Sequence, residues 1–260
     1  MNLELKAKKA IVTAASAGLG FATALELARE GASVAICSRD LARAQAAAKT
    51  IQEQTGGVVH AYQADVSKLS DLEAFFTQAT TALGGLDILV CNAGGPPPGR
   101  FEALSEAPWE RAFQLTLMSV VRSVRLAAPH LASGGRILAL TSSSVKRPLE
   151  NLLLSNVFRP AVHGLLKTLS LELAAQGISV NGLAPGRIET ERINELDDAA
   201  ATRLGLTRQD VRARSVQEIP AGRLGRPEEF GRVAAFLCSQ AASYVNGVMW
   251  LVDGGSVKAL

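Results

Sequence analysis

The chain passes from its first apolar run into Thr13-Ala14-Ala15-Ser16-Ala17-Gly18-Leu19-Gly20, a glycine-containing turn that leads into a helical pattern. A turn of this kind between a strand and a helix lets the backbone approach a phosphate group at the positive end of the helix. The turn alone is a weak signal, and its meaning depends on the pattern of the remaining sequence.

Outside this turn, short apolar runs alternate with longer amphipathic segments. We predict strands at residues 10–13, 33–38, 58–62, 86–91, 136–141, 178–183 and 248–252, and helices at about residues 20–30, 41–54, 71–83, 107–131, 152–176 and 227–239. Near-continuous apolar strands are expected when helices cover both faces of a sheet. The pattern predicts an α/β fold, with a doubly wound, Rossmann-type parallel sheet of about seven strands, in a single domain over residues 1–260.

Residues 187–222 interrupt this alternation. The segment is charged and shows little helix or strand regularity before residues 207–216. An insertion of this length near the carboxyl edge of a sheet is more typical of a lid or substrate-binding loop than of a linker.

The composition restricts the classes of partner. The net charge is +3 and the basic residues are scattered, which does not indicate nucleic-acid binding. The three cysteines, Cys37, Cys91 and Cys238, form no C-x-x-C pair and no group with histidine, so we predict neither a metal site nor a disulfide. The sequence has no signal-peptide pattern and no apolar run of membrane-spanning length, so we predict a cytoplasmic protein without a membrane partner.

Further motifs follow the later predicted strands. These are Asp65-Val66, Asn92-Ala93-Gly94, Pro185-Gly186-Arg187-Ile188-Glu189-Thr190 and Leu251-Val252-Asp253-Gly254-Gly255. In this order, and over essentially all 260 residues, they resemble the short-chain dehydrogenase/reductase family, especially its 3-oxoacyl-carrier-protein reductase branch. The resemblance implies hydride transfer between a nicotinamide cofactor and a carbonyl or hydroxyl group on a small-molecule or acyl-carrier-linked substrate.

The resemblance also implies which residues hold the cofactor. The set is Thr13, Ala15, Ser16, Gly18, Leu19, Gly20, Ser38, Arg39, Asp65, Val66, Asn92, Ala93, Gly94, Arg159, Pro185, Gly186, Ile188 and Thr190. Within it, the adenine would lie between Asp65 and Val66, the adenosine ribose against Asn92 and Gly94, and the nicotinamide amide against Ile188 and Thr190. The alternative is that these residues only hold the edge of the sheet together.

Ala14 departs from the family's turn, which reads Thr-Gly-x-x-x-Gly-x-Gly and has glycine at this place. A methyl group is a small change if the backbone angle suits alanine and a costly one if φ is positive.

The end of the second predicted strand bears on the choice of cofactor. NAD enzymes usually place an acidic residue there to bind the ribose 2′-hydroxyl. This chain has Ser38 followed by Arg39, which suits a 2′-phosphate because a guanidinium can bind it with two donors. We therefore predict NADP(H) over NAD(H), with a solvated arginine at a helix start as the alternative.

The catalytic positions of the family are occupied unusually. The family works with Asn, Ser, Tyr and Lys, and the resemblance places Thr116, Ser142, Ser155 and Arg159 at these positions. Ser142 keeps the family's residue. An aliphatic alcohol such as Ser155 is far too weak an acid to replace a phenol unaided. Arg159 keeps its proton, but it can hold ribose hydroxyls, and the i, i+4 spacing keeps it on the same helix face as Ser155.

Other polar residues lie near these positions in the sequence. His163 stands one helical turn further on, and we interpret it as an interior packing residue rather than a titrating catalyst. Lys146, Arg147 and Glu150 follow Ser142 in the expected substrate loop. They either meet an anionic acyl carrier or supply a carboxyl acid, or else they form a solvated loop.

Three functions remain open from the sequence. The first is an NADP(H)-dependent oxidoreductase in which a water near Ser155 relays the proton. The second is a nucleotide-binding sensor or partner protein without turnover, and the third is non-redox chemistry such as dehydration or isomerisation. Leucines at 165, 166, 169 and 173 cannot all face one sheet, and the family's equivalent helices pack against a second subunit. We therefore expect a homotetramer, with a homodimer as the alternative.

Overall fold

Seven parallel strands form the centre of the structure, a computed structural model that describes residues 2–259. The strands are β1 (Lys9–Val12), β2 (Ser33–Ser38), β3 (Val59–Gln63), β4 (Leu86–Cys91), β5 (Leu131–Leu140), β6 (Ser179–Pro185) and β7 (Met249–Val252). Their order in the sheet is β3-β2-β1-β4-β5-β6-β7. The direction of winding reverses between β1 and β4, so a crevice opens at the carboxyl ends of these two strands.

Helices cover both faces of this sheet. They are α1 (Gly18–Arg29), α2 (Leu41–Thr55), α3 (Leu69–Leu83), α4 (Glu106–Ala112), α5 (Ser119–Ala127), α6 (Leu153–Glu172), α7 (Glu191–Leu204), α8 (Arg208–Gln217) and α9 (Pro227–Leu237). None of the helices described over residues 2–259 has the length and apolar character needed to cross a membrane.

Side chains of the central strand alternate between two hydrophobic cores. Ala10 and Val12 pack with α1, α2 and α9, whereas Ile11 packs with α3, α5 and α6. Successive side chains of a strand point to opposite faces, so both faces of β1 are buried. This explains the near-continuous apolar runs and confirms the predicted doubly wound, Rossmann-type sheet.

The predicted bounds hold best for the strands. Residues 33–38 and 86–91 are strands as predicted, whereas β5 begins at Leu131 instead of residue 136 because Leu131 pairs with Leu86 of β4. The helix predicted over residues 107–131 is confirmed as far as Ala127, but its predicted end at residue 131 is wrong because β5 begins there. That segment is α4, a π-helical turn at Phe113–Met118, α5, a short 3₁₀ turn and the start of β5.

The expectation of irregular structure between residues 187 and 206 is also wrong. The helix α7 occupies Glu191–Leu204 and packs against α8. The carboxylate of Asp197 in α7 is buried, and it accepts hydrogen bonds from Arg187 before the helix and from Arg212 of α8. This ion-paired centre, together with a few apolar contacts, holds a helix whose sequence is mostly polar.

Candidate functional site

Hydrogen bonds join the ends of β1 and β4 at the crevice. The Thr13 hydroxyl donates to the Asn92 carbonyl at 2.7 Å and accepts the Asn92 backbone N–H at 2.8 Å. The Asn92 side-chain amide donates to the Ala14 carbonyl at 2.9 Å. These three hydrogen bonds therefore fix the position of the turn after β1 relative to the turn after β4.

The N-terminus of α1 faces this crevice without a capping side chain. Ala17 is the N-cap residue, and the first turn contains no acidic residue. A Cβ at Gly20 would lie 2.5 Å from Asn92 Nδ2, so glycine is required for this close approach. The N–H groups and positive end of α1 therefore suit an anionic group such as a pyrophosphate, and the residues fit the cofactor that the sequence predicts.

Ala14 has a φ of 48°, in the left-handed region that favours glycine. Alanine in place of the family's glycine therefore destabilises this turn, since the left-handed conformation costs an L-residue about 1–2 kcal/mol.

The end of β2 lies beside the turn. The Ser16 hydroxyl donates to the Ser38 hydroxyl at 3.1 Å, which joins two residues predicted to contact the cofactor. The side chain of Arg39 is exposed and forms no ion pair within residues 2–259. Its guanidinium is free to meet a ligand at this edge.

The remaining predicted cofactor residues lie at the same edge of the sheet. Asp65 follows β3 and accepts from the backbone and hydroxyl of Ser67, while Val66 is buried. A Cβ at Gly94 would meet nothing within 4 Å, and Ala93 precedes it after β4. The chain after β6 contributes Gly186, Ile188 and Thr190, following Pro185 at the end of that strand.

The segment after β6 is packed tightly. A Cβ at Gly186 would lie 2.6 Å from the Cβ of Asp253. The Thr190 hydroxyl donates to the Ile188 carbonyl at 3.3 Å, and the Thr190 methyl lies 3.9 Å from the position of a Cβ on Gly18. The segment after β6 therefore lies next to the turn that begins α1.

Three serines form the centre of the candidate catalytic cluster. Ser142 accepts the backbone N–H of Ser144 at 3.2 Å, and the hydroxyls of Ser144 and Ser155 are 3.2 Å apart. Ser144 and Ser155 are buried. Ser144, which connects Ser142 to Ser155, was not among the predicted site residues. The run of hydroxyl residues at positions 141–144 was the available signal.

Arg159 is buried in α6, one helical turn after Ser155. Its Nη1 donates to the Leu140 carbonyl at 3.0 Å, and its Nε has no partner within residues 2–259. Burial, and to a lesser extent the positive charge of Arg192, lowers the pKa of Arg159 to about 10. The guanidinium therefore stays protonated at neutral pH and can act only as a donor and fixed charge.

Thr116 lies in the π-helical turn and is 1% exposed. Its hydroxyl oxygen has no hydrogen-bond partner within the described residues. π-Helical turns occur frequently at functional sites, and a buried polar atom without a partner needs a further group to satisfy it. Thr116 thus presents an unused donor and acceptor, as expected of a site residue.

Arg192 is a second residue that was not among the predicted site residues. It lies in the first turn of α7, and its Nη2 donates to the Pro96 carbonyl at 2.6 Å. Since the helix α7 was not predicted, no sequence signal placed Arg192 near the crevice.

The expected substrate loop is held mainly by polar contacts. The side chain of Asn156 donates to and accepts from the backbone of Leu149, at 2.9 Å in both bonds. Glu150 pairs with Arg100 and Arg203. Its hydrogen bond with Arg203 is the main cause that lowers the pKa of Glu150, so this carboxyl is ionised rather than poised to donate a proton.

The interpretation of His163 as an interior residue is wrong. Its side chain is half-buried, and desolvation together with the charges of Lys146 and Lys167 lowers its pKa. His163 is therefore mainly neutral at physiological pH.

A doubly wound sheet whose switch-point crevice receives an uncapped helix N-terminus defines a dinucleotide-binding α/β protein. A family model described as enoyl-(acyl carrier protein) reductase matches residues 13–257. The chain belongs to the short-chain dehydrogenase/reductase family of oxidoreductases, as the sequence motifs predicted.

Similar proteins cover nearly the whole chain. The 7alpha-hydroxysteroid dehydrogenase of Escherichia coli is 34% identical over 261 residues, which span 100% of this chain and 98% of that protein. Dehydrogenase/reductase SDR family member 4 of Oryctolagus cuniculus is 35% identical, with 97% and 95% covered. The structure of L-sorbose reductase from Gluconobacter frateurii with NADPH and L-sorbose superposes with a TM-score of 0.95 at 30% identity, over 100% of both chains.

Proposed function

We propose that this protein is an NADP(H)-dependent oxidoreductase that interconverts a carbonyl and a hydroxyl group on a small molecule. The observation that carries the proposal is the hydrogen-bonded set of Ser142, Ser144 and Ser155 after β5, with Arg159 buried one helical turn beyond Ser155 and bonded to the last residue of β5. The names of the similar proteins, which are reductases and dehydrogenases, support the same reaction class. The prediction that the substrate is a 3-oxoacyl group on a carrier protein rests on the family resemblance alone.

A bound nicotinamide would supply the hydride to the carbonyl carbon, or accept it from the alcohol carbon in the reverse direction. Ser142 would orient the substrate oxygen. Because its oxygen accepts the backbone N–H of Ser144, its own O–H remains available to donate. Arg159 retains donors beyond the one used on the Leu140 carbonyl, and these would hold ribose hydroxyls.

The proton needs a different route from that of the family. When the carbonyl π bond breaks and the carbon gains a hydride, the oxygen must gain a proton. A serine hydroxyl cannot act as the net acid, but it can pass on a proton while it receives another from water. The hydrogen-bonded hydroxyls of Ser155 and Ser144 provide such a relay, with solvent as the final donor.

The predicted preference for NADP(H) rests on Arg39. If its free guanidinium binds the 2′-phosphate, calorimetry should show that NADPH binds more tightly than NADH. The Arg39→Ala variant should lose about ten- to a hundredfold in NADPH affinity and little in NADH affinity. Lys49→Ala, on the exposed surface of α2, is the control for removing one positive charge. Equal affinities in the unmodified protein would contradict the preference.

Turnover is tested by anaerobic incubation with NADPH and a broad panel of carbonyl compounds, followed at the nicotinamide absorbance. We expect consumption above background, and we expect Ser142→Ala to abolish it while cofactor affinity stays nearly unchanged. Ser133→Ala, at an exposed serine of β5, is the matched control. Unaltered turnover in Ser142→Ala would contradict the proposal that carbonyl reduction takes place at this cluster.

The second candidate is a nucleotide-binding protein without turnover. It is favoured by the replacement of the phenol by Ser155, because the cluster then contains no acid that titrates near neutral pH; the pKa of Arg159 is about 10. Tight NADPH binding without consumption of any carbonyl or alcohol, in either direction, would favour this candidate.

We further infer a homotetramer, with a homodimer as the alternative. Apolar side chains are exposed on α6 and β7, with Val157 at 42%, Leu171 at 70% and Trp250 at 37% of their surface. Such residues are suited to burial between subunits of two-fold symmetry. A monomer at micromolar concentration in light scattering would contradict this assembly.

A further inference from the structure

Arg192 lies near the crevice and has no role in the proposed reaction. Arg192 lies in the first turn of α7, and its hydrogen bond to the Pro96 carbonyl, at 2.6 Å, attaches this helix to the loop that follows β4. That loop continues directly from Asn92, whose backbone borders the nucleotide crevice. The side chain is therefore held at the boundary between the nucleotide crevice and the segment of residues 187–222.

Gly95 provides the space that this guanidinium occupies. A Cβ at Gly95 would lie 2.9 Å from Arg192 Nε and Nη2 and 3.0 Å from Cζ. Any other residue at position 95 would displace the arginine or the loop. The guanidinium is thus seated in a defined place rather than spread over the surface, with its side chain 35% exposed.

The positive charge at this place is only weakly neutralised. Glu195 approaches Arg192 at 3.4 Å, but the Glu195 side chain is 60% exposed, and an exposed i, i+3 pair contributes little. Arg159 forms no ion pair within residues 2–259, and the charge of Arg192 contributes to the lowered pKa of Arg159. The buried carboxylate of Asp197 is already shared by Arg187 and Arg212. Among the described residues, Arg192 therefore has only an exposed carboxylate as its partner, and the buried Arg159 has none.

We propose that Arg192 is a specificity-determining residue that binds the carboxylate of an oxo-acid or hydroxy-acid substrate. The proposal rests on the proposed oxidoreductase function and names its substrate class. The planar guanidinium presents paired N–H donors that match the two oxygens of a carboxylate. The substrate would then place its carbonyl at Ser142 and its carboxylate towards α7.

The kinetic test compares each oxo acid with its own methyl ester, which keeps the carbonyl and removes the charge. The series is 2-oxopropanoate, 4-oxopentanoate and 5-oxohexanoate, so that the spacing between the two groups varies. With NADPH present, we expect one acid to be preferred over its ester. Arg192→Gln should lower kcat/KM for that acid by about 10- to 100-fold, mainly through KM, and leave its ester within about twofold. Arg192→Lys should recover part of the loss, because it restores the charge without the paired donors.

Two further variants control for charge and folding. Arg214→Gln removes an exposed arginine of the neighbouring helix α8 and should leave the acid-to-ester ratio unchanged. Glu195→Gln removes the competing carboxylate and should increase the affinity for the acid by about two- to threefold. This increase is a gain of function, so a folding defect cannot produce it.

Binding measurements separate this proposal from the proposed function. Calorimetry with NADP⁺-saturated protein measures the affinity for 4-oxopentanoate and for its methyl ester without turnover, because the oxidised cofactor cannot reduce a carbonyl. If no carbonyl is reduced but the acid binds more tightly than the ester and loses this advantage in Arg192→Gln, the proposed function fails and the carboxylate site stands. Equal affinity and equal kcat/KM for every acid and its ester, or an equal loss for both in Arg192→Gln, would overturn the carboxylate site. A preference for dihydroxyacetone phosphate over all the acids would also overturn the assignment to a carboxylate.

Discussion

Replacing Ala14 by glycine should stabilise the protein. With φ at 48°, the alanine occupies a conformation that costs an L-residue about 1–2 kcal/mol and costs glycine almost nothing. Glycine gives back part of this gain, about 0.4–1 kcal/mol, because its unfolded chain has more conformational freedom. The net expectation is an increase of about 0.5–1 kcal/mol in the free energy of unfolding. For a chain of this length that corresponds to a rise of about 1–3 °C in Tm.

The measurement is thermal unfolding of the cofactor-free protein, followed by circular dichroism, with a check that unfolding is reversible. The matched control is Ala15→Gly, which removes the same methyl group from a fully buried neighbour whose φ is not positive. Ala15→Gly should lower the stability by about 1 kcal/mol. If Ala14→Gly lowers Tm as much as Ala15→Gly does, the left-handed backbone conformation of Ala14 does not destabilise the protein.

Three other perturbations have defined outcomes. The double change Ser155→Tyr with Arg159→Lys should raise reductase rates on activated ketones by about 10²- to 10⁴-fold if only the acid is missing, and initial rates that do not rise would show that the pocket excludes the ring. Asp197→Ala should cost about 3 kcal/mol in urea unfolding and speed limited proteolysis within residues 187–222, since it leaves two arginines unpaired; an unchanged midpoint would contradict this. Burial raises the pKa of each of the three thiols from 9.0 to about 12, so an aromatic disulfide reagent should not label the native protein at pH 8. Because the unfolded thiols ionise first, stability should fall as the pH rises above about 9, and rapid labelling at pH 8 would refute the burial.

Much of the fold could be predicted because the strands are buried on both faces. The strand at residues 33–38, for example, contains the unbroken apolar run of residues 34–37 and extends one serine beyond it at each end. The helix α7 could not be recognised in the same way. Its sequence is mostly polar, and its buried centre is Asp197, a charged residue that is stable there only because Arg187 and Arg212 approach from other elements. Such long-range ion pairs leave no periodic apolar pattern.

The candidate site likewise contains residues that could be predicted from the sequence and residues that could not. Ser142, Ser155 and Arg159 could be placed because flanking motifs fix their positions in the chain. Ser144 could not be predicted, because its place in the site depends on the geometry of the turn after β5. There its backbone N–H donates to Ser142 and its hydroxyl contacts Ser155. The π-helical turn around Thr116 was invisible because a single inserted residue in a helix barely changes the apolar pattern.

The hydrogen bond between Ser144 and Ser155 has no fixed polarity, since either hydroxyl can donate to the other. A tyrosine acid held by a lysine has a preferred protonation state at a given pH, whereas a pair of hydroxyls reverses by rotation of two bonds. A relay through such a pair favours neither uptake nor release of protons. The direction of the proposed reaction would then be set outside the protein, by the ratio of reduced to oxidised cofactor and by the supply of substrate.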